Sequence, residues 1–525
     1  MNAWSPLARP MFRALWIAAM VSNVGTWIHD VGAGWLMTEL SPSPWMVSLV
    51  QAATTLPLLL LSVPAGALAD VIDRRRLMLW TNLGMMLCAA GLAAAVWSGP
   101  ISPFVLLAAT LGLGIGAALI NPAFQTSMVD LVPREELPAA AALNSVSLNL
   151  SRAVGPALGG LLVAAAGPWA AFALNAASFI LILATLWAWP YRQPPRAIAG
   201  ERFVGAVKAG LRYVRHSPPM IAVLVRTISF VLPASVLWAL MPLLAREHLS
   251  LGAGGYGVLF SCLGAGAVAT TALLPFLRRR LTPGQHVLAA SILYTSMLAV
   301  LSLRREPWVG FAAMVFCGSA WVTMVVNLNV AAQSGTPVWV RGRALSCYLA
   351  LFFGSMALGS AFWGAVAQRV GLADAFLAAA GLMLLGLLSL TRYSLTHASG
   401  EETAMESDWE DPAVSRPISP HDGPVVVTIE YRIAEQDADA FKAAMEPVSQ
   451  TRYRDGAISW VLSRCTENPE RWLEVFIVES WAEHLRQHQR VTVADKRVQA
   501  AARAFHRGDA RPKVSHFIAE PPPQR

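Results

Sequence analysis

The chain is built from apolar runs whose length suits one environment. Twelve segments carry enough consecutive, mostly apolar residues to match the roughly 20 that a helix needs to cross a bilayer. They cover 12–38, 45–69, 77–97, 101–126, 139–166, 169–189, 218–244, 253–276, 285–303, 308–332, 343–368 and 372–391. Backbone polar groups in hydrocarbon have no water to bond, so each run is read as a helix. Composition agrees: 55% of the 525 residues are hydrophobic and only 14% are charged. That excludes one soluble domain and leaves room for a membrane bundle with an appendage. Turn signals such as Ser41-Pro42-Ser43-Pro44, Ser98-Gly99-Pro100 and Gly167-Pro168 separate neighbouring runs.

The formal charge of +8 sits mainly in loops, so it argues for membrane orientation and against nucleic-acid binding. One side carries Arg9, Arg13, Arg74, Arg75, Arg76, Arg134, the basic stretch from Arg192 to Arg215, Arg278–Arg280, Arg341, Arg343 and Arg392. The other carries Arg246, Arg304, Arg305 and Arg369. Positive loops stay inside, which predicts a multi-pass bacterial inner-membrane protein with both termini in the cytoplasm. Met11–Leu40 is far longer than the apolar region of a signal peptide. The five cysteines are scattered, four of them in apolar runs, and read as small hydrophobes without a disulfide framework.

Loop 191–217 divides the runs into six and six. Its second part sets Arg202, Lys208, Arg212 and Arg215 against Phe203, Val207, Leu211 and Val214, the pattern of a helix lying on the membrane surface. The expected domains are therefore a six-helix bundle at 1–190, this loop, and a second six-helix bundle at 218–395, with a cavity between the halves. Residues 396–423 are an acidic linker, expected to be flexible. Residues 424–520 read as β-α-β-β-α-β, a small cytoplasmic α+β domain of the ferredoxin-like kind. The predicted class is a mainly α membrane protein with twelve helices and this appended domain.

Two motifs bear a resemblance. Gly66-Ala67-Leu68-Ala69-Asp70-Val71-Ile72-Asp73-Arg74-Arg75-Arg76 resembles the loop 2–3 motif of the major facilitator superfamily, departing from it at Val71 and Asp73. The resemblance implies a gate built from Gly66, Asp70, Arg74, Arg75 and Arg76. The plainer alternative is a basic stop that fixes topology. Arg152-Ala153-Val154-Gly155-Pro156-Ala157-Leu158-Gly159-Gly160 resembles a motif of proton-coupled exporters in that superfamily, with Ser151 where a glycine is usual. Here the alternative is ordinary packing of small residues. Further stretches, Gly34–Pro44 and Asn121–Gln125 among them, resemble the branch that includes the enterobactin exporter, over roughly residues 5–395. The last domain resembles the antibiotic-biosynthesis-monooxygenase fold, a dimeric α/β barrel, which implies dimerisation through its sheet.

Ionisable residues inside the membrane are expensive and mark function by default. Asp30, Arg152 and Arg226 are the candidates for proton coupling or the cargo cavity. Asn23, Trp27 and Asp30 recur at i, i+4 and i+7, one face of the first helix. Each has a structural alternative: a polar contact for Asp30, helix packing for Trp27, and snorkelling to the interface for Arg226. Gln51, Asn144, Asn149, Asn327 and Asn329 are uncharged candidates. His484 and His488 are spaced i, i+4 but lack a third close ligand, so no metal, cofactor or catalytic residue is predicted. No Gly-x-x-x-x-Gly-Lys-Ser/Thr loop is present to bind ATP. The expectation is a secondary transporter that exports small amphipathic molecules against protons. Two alternatives stay open: an importer on the same scaffold, and a bifunctional protein whose tail modifies or senses the cargo.

Overall fold

Proline and short polar side chains decide where the helices start. Ser43, Ser102 and Thr282 accept hydrogen bonds from the first turns of helices that open with Pro44, Pro103 and Pro283. Proline suits that position because its missing N–H is one that a helix start leaves unpaired. Asp73, one of the departures from the motif, caps the next helix through the backbone N–H of Arg76 at 2.8 Å. The computed structural model describes residues 4–99, 101–191, 210–277, 280–393, 417–508 and 511–520, with Leu395 and Val414. Of the expected surface helix, residues 202–209 lie outside the described residues, while 210–215 are helical; the acidic linker 396–413 also lies outside them.

The long helices are α1 (Pro10–Leu40), α2 (Pro44–Val71), α3 (Arg74–Ser98), α4 (Pro103–Leu131), α5 (Leu137–Ala166), α6 (Pro168–Ala188), α7 (Pro218–Leu243), α8 (Ala253–Leu277), α9 (Pro283–Leu303), α10 (Pro307–Ser334), α11 (Arg341–Val370) and α12 (Leu372–Leu387). Among the described residues, eleven helices are long and apolar enough to span a membrane, and these are α2 to α12. The 31-residue α1 is long enough, but it carries Arg13, Asn23, His29, Asp30 and Glu39. α1 packs on α5 and α6, α2 on α4, and α9 on α12, while α5 packs on α8.

The chain forms two compact units, Met1–Ala199 with Val225–Leu328 and Leu349–Ser394, and Gly200–Leu224 with Asn329–Tyr348 and Leu395–Arg525. The second unit contains the tail domain, built from β1 (Val425–Arg432), α13 (Ala438–Asp455), β2 (Ala457–Arg464), β3 (Arg471–Val478), α14 (Trp481–Arg490), α15 (Val493–Arg503) and β4 (Lys513–Ile518). Alternation decides its core. Val425, Val427, Ile429 and Tyr431 of β1 face inward with Trp472, Phe476 and Val478 of β3, against Phe441, Met445 and Val448 of α13.

The tail sheet overturns the expected α/β barrel. Its order is β2-β3-β1-β4 with antiparallel pairing throughout. β2 and β4 are the two edges, with β3 and β1 between them, so the sheet is open. Closure requires the edge strands to hydrogen-bond to each other, and four strands are too few to curl that far.

Candidate functional site

The bundle encloses a cavity of about 220 Å³ where α1, α2, α7, α8 and α11 converge. Trp27, Asp30 and Gly34 come from α1, Gln51, Thr54 and Thr55 from α2, Trp238 from α7, Tyr256 and Phe260 from α8, and Phe353 from α11. The i, i+4, i+7 spacing on α1 thus puts Trp27 and Asp30 on the cavity wall, and Gly34 continues their stripe. Asn23 is not on this wall.

Aromatic rings dominate the lining. Phe260 meets Trp27 at 6.1 Å between centroids, Trp238 at 6.0 Å and Tyr256 at 5.3 Å. Among the described residues, Asp30 is the one charged member of the wall, with Gln51, Thr54, Thr55 and Tyr256 as its polar neighbours. Chemically the site is a carboxylate set in an apolar, aromatic surround. The volume falls below the roughly 300–1,000 Å³ of small-molecule pockets.

Arg152 does not pair with Asp30 in this structure. Its guanidinium lies 5.6 Å from the Trp27 ring centre, and its Nε is buried without a hydrogen-bond partner. Arg226 is held elsewhere. Its Nε and Nη2 donate to the Tyr393 carbonyl at 3.1 Å, and its Nη1 to Ser389 Oγ at 2.9 Å, so it ties α7 to the end of α12. His29 points away from the cavity wall and packs on Phe172, centroids 4.7 Å apart. Asn149 and Asn327 bond to carbonyls of their own helices.

The glycines of the second motif act by letting helices touch. A methyl at Gly155 would stand 2.6 Å from Cβ of Trp27, and one at Gly160 would stand 2.7 Å from Cα of Gly257. Pro156 carries the kink-prone position between them inside α5. Gly159 sits against Ile28. The motif is thus the seam of α5 with α1 and α8. Of the first motif, the side chains of Gly66 and Asp70 lie outside the described residues. Arg74 pairs with Asp130 at 3.1 Å, and Arg75 donates to the carbonyls of Leu186 and Trp187 at the end of α6. Arg76 donates its backbone N–H to the Asp73 cap.

The bundle is closed at the end away from the termini. Arg246 Nη1 donates to the Thr38 carbonyl at 2.6 Å and to Thr38 Oγ1 at 3.0 Å, and its guanidinium lies 5.9 Å from the Trp35 ring centre. Trp35 in turn stacks on Tyr256 and donates to Glu39 at 2.8 Å. Ser43 Oγ bonds to Gln368 Oε1 at 3.2 Å. Sequence reasoning missed Arg246, Trp238, Tyr256, Phe260 and Phe353. The four aromatic residues are ordinary members of apolar runs, and Arg246 is an ordinary loop charge, until a helix from the other half faces them.

This arrangement, long apolar helices around a cavity bearing an acid, is that of a membrane carrier. A family profile described as transmembrane secretion effector matches residues 1–524. The chain belongs to that family of major facilitator transporters. It is 26% identical to the uncharacterized MFS-type transporter YfiS of Bacillus subtilis (strain 168), over 73% of this chain and 95% of that one. It is 26% identical to the multidrug efflux pump Tap of Mycolicibacterium fortuitum, over 71% and 93%. The enterobactin exporter EntS of Escherichia coli O1:K1 / APEC is also 26% identical, over 73% and 91%. Among solved structures, a POT family transporter in complex with 5-aminolevulinic acid superposes with a TM-score of 0.61 at 12% identity, covering 73% of this chain and 96% of that one. A mutant of the nucleoside transporter NupG gives 0.60 at 11% identity, covering 73% and all of that chain. These similarities show the fold. The protein is a multi-pass secondary transporter of the bacterial inner membrane that handles small molecules.

Proposed function

We propose that the protein exports small amphipathic molecules in exchange for protons. The observation that carries this is Asp30, among the described residues the one charged member of an aromatic cavity wall between the two halves. A carboxylate beside Trp27, Trp238, Tyr256 and Phe260 favours an amphipathic cargo with a cationic group, and a proton competes for the same acid. Loading a proton releases the cargo; losing it readies the site again. The relatives named as a multidrug efflux pump and an enterobactin exporter support the outward direction.

In this reading the chain has twelve spans, counting α1, with both termini cytoplasmic. The two halves rock about the cavity. Gly66, Asp70 and Arg74–Arg76 gate the terminus-side end, and the Arg152–Gly160 seam is the surface on which α5 moves against α1 and α8. The tail is a ferredoxin-like cytoplasmic module. The sheet face turned from its helices carries Val461 and Phe517, 50% and 56% exposed, an apolar surface that supports pairing with a second tail.

The test uses the full chain in proteoliposomes with an imposed pH gradient and tetraphenylphosphonium as the probe. Gradient-dependent movement toward the acidic side, lost in Asp30→Asn, is the expected result. Movement that persists after the gradient collapses removes proton coupling. Movement away from the acidic side makes the protein an importer.

A further inference from the structure

The second compact unit holds more than the tail. It includes residues 210–224, where a short helical stretch leads into α7, and residues 329–348, which join α10 to α11. These segments reach the tail through side chains of one chemical kind: guanidinium groups and carboxylates of the tail against aromatic rings and an arginine of the connecting segments.

Trp339 is at the centre. The Tyr213 ring meets it edge-on at 6.0 Å, and the Arg490 guanidinium lies 4.4 Å from its ring centre. Arg490 is presented rigidly, because its Nη1 donates both to the Asp455 carbonyl and to Glu483 Oε1 at 2.7 Å. Glu483 faces two ways. It takes Arg490 and Arg486 from its own helix, and Arg212 at 2.9 Å from the other side. Beside this, His216 stacks on Tyr453 at 5.3 Å with 20° between the planes. Arg454, fixed by Asp455 and Asp495, lies 5.9 Å from the Tyr213 ring centre. Burial pushes the Glu483 carboxyl up, but hydrogen bonds from Arg490 and the charges of Arg490 and Arg212 hold it below the usual carboxylate range.

Two properties separate this seam from an ordinary core. Each cation–ring contact and the Arg212 ion pair is individually weak, so the seam can open stepwise. And the tail keeps its own support when it opens: Glu483 retains Arg486 and Arg490, Arg454 retains its two aspartates, and the core about Phe441 and Phe476 meets the seam through Tyr453, which packs against that core from its edge. Tyr213 also donates to the Gly335 carbonyl at 3.0 Å, so the two connecting segments are already joined, and the tail covers their junction.

We propose that α14 and the end of α13 form a regulatory clasp on Arg212, Tyr213, His216 and Trp339. Closed, it holds the entry to α7 and the α10–α11 connection in one arrangement. Opened, it frees both for the change of shape that transport requires. The tail thereby sets how fast the carrier changes state, whatever its cargo or coupling ion.

The experiment uses the full chain in nanodiscs and measures backbone hydrogen exchange in Arg212→Gln, Arg490→Gln and Trp339→Ala, which weaken the seam from both sides. Arg471→Gln is the control, an arginine paired with Glu430 at 2.7 Å and absent from the seam. The expected result is exchange about tenfold faster in residues 218–224 and 341–348 in all three seam variants, with β1 and β3 still protected and the control unchanged. Labelling of a cavity cysteine, Gln51→Cys in a background without native cysteines, by an impermeant maleimide should quicken in step. If α14 loses protection while 218–224 and 341–348 keep theirs, the clasp holds nothing and the proposal fails. It fails equally if those segments loosen and the labelling rate stays at the parental value. Loss of protection in β1 and β3 of every seam variant would show the seam to be part of the tail's own fold, which also overturns it.

Discussion

Replacing Arg246 by Met tests how the end away from the termini is held shut. The guanidinium makes two hydrogen bonds to Thr38 across the halves and lies over Trp35. A hydrogen bond to a charged group contributes about 1.5–3 kcal/mol net. Arg246 is exposed, which puts the pair of bonds at the low end of that range. With an exposed cation–π contact of about 0.5 kcal/mol, the closed end loses roughly 2 kcal/mol. Tenfold corresponds to about 1.4 kcal/mol, so the population opened at that end rises roughly 30-fold. A cysteine placed at Gln51 on the cavity wall reports this through its labelling by an impermeant maleimide added from that side. Arg246→Lys keeps the charge but loses the planar fork, and should fall between parent and Met. If Arg246→Met labels at the parental rate while remaining folded, the Thr38 contacts do not hold the end closed and the reasoning fails.

Other expectations follow from packing and titration. Gly160→Val drives side-chain atoms into Gly257 of α8 and should destabilise the seam by about 1–3 kcal/mol, read as a lower melting temperature of the purified protein. In the tail, Glu474 is fully buried and accepts from Arg452 at 3.0 Å, Tyr431 at 3.0 Å and Trp460 at 3.1 Å. Glu474→Leu removes the carboxylate that these three donors share and should cost the tail about 3–5 kcal/mol, measured by hydrogen exchange of β1 and β3 in the full chain. Burial, with the charges of His488 and His516 adding to it, pushes the His484 ring down to about 3. Its neutral form is the one that fits, so its contribution is complete above the ordinary value near 6.5 and is lost as pH falls from there toward 3. Protection of α14 should therefore decline on acidification below about pH 6.5, by up to about 1.4 kcal/mol per unit. His484→Phe should flatten that decline, and an unchanged slope would show that this ring is not its source.

The apolar runs by themselves determined that the chain crosses a membrane many times, because hydrocarbon leaves a backbone no alternative to helices. Local chemistry was equally readable: proline after a capping serine or threonine starts a helix, and period-two alternation buries one face of β1. On α1, helical spacing alone put Trp27 and Asp30 on one stripe, and the cavity lies along it. What depends on a partner distant in sequence was not readable. Arg152 and Arg226 looked alike as charges in apolar runs, yet one lies over Trp27 and the other binds the carbonyl of Tyr393. Strand order β-α-β-β-α-β does not say whether a sheet closes, since closure depends on strand number and curvature, and the four tail strands leave β2 and β4 as edges. The aromatic wall from Trp238 to Phe353 and the Arg246 contact exist only because helices of the two halves meet. Periodicity along one helix fixes which residues share a face. The packing of other helices against that face fixes what they touch, and for this carrier that decides where a cargo can sit.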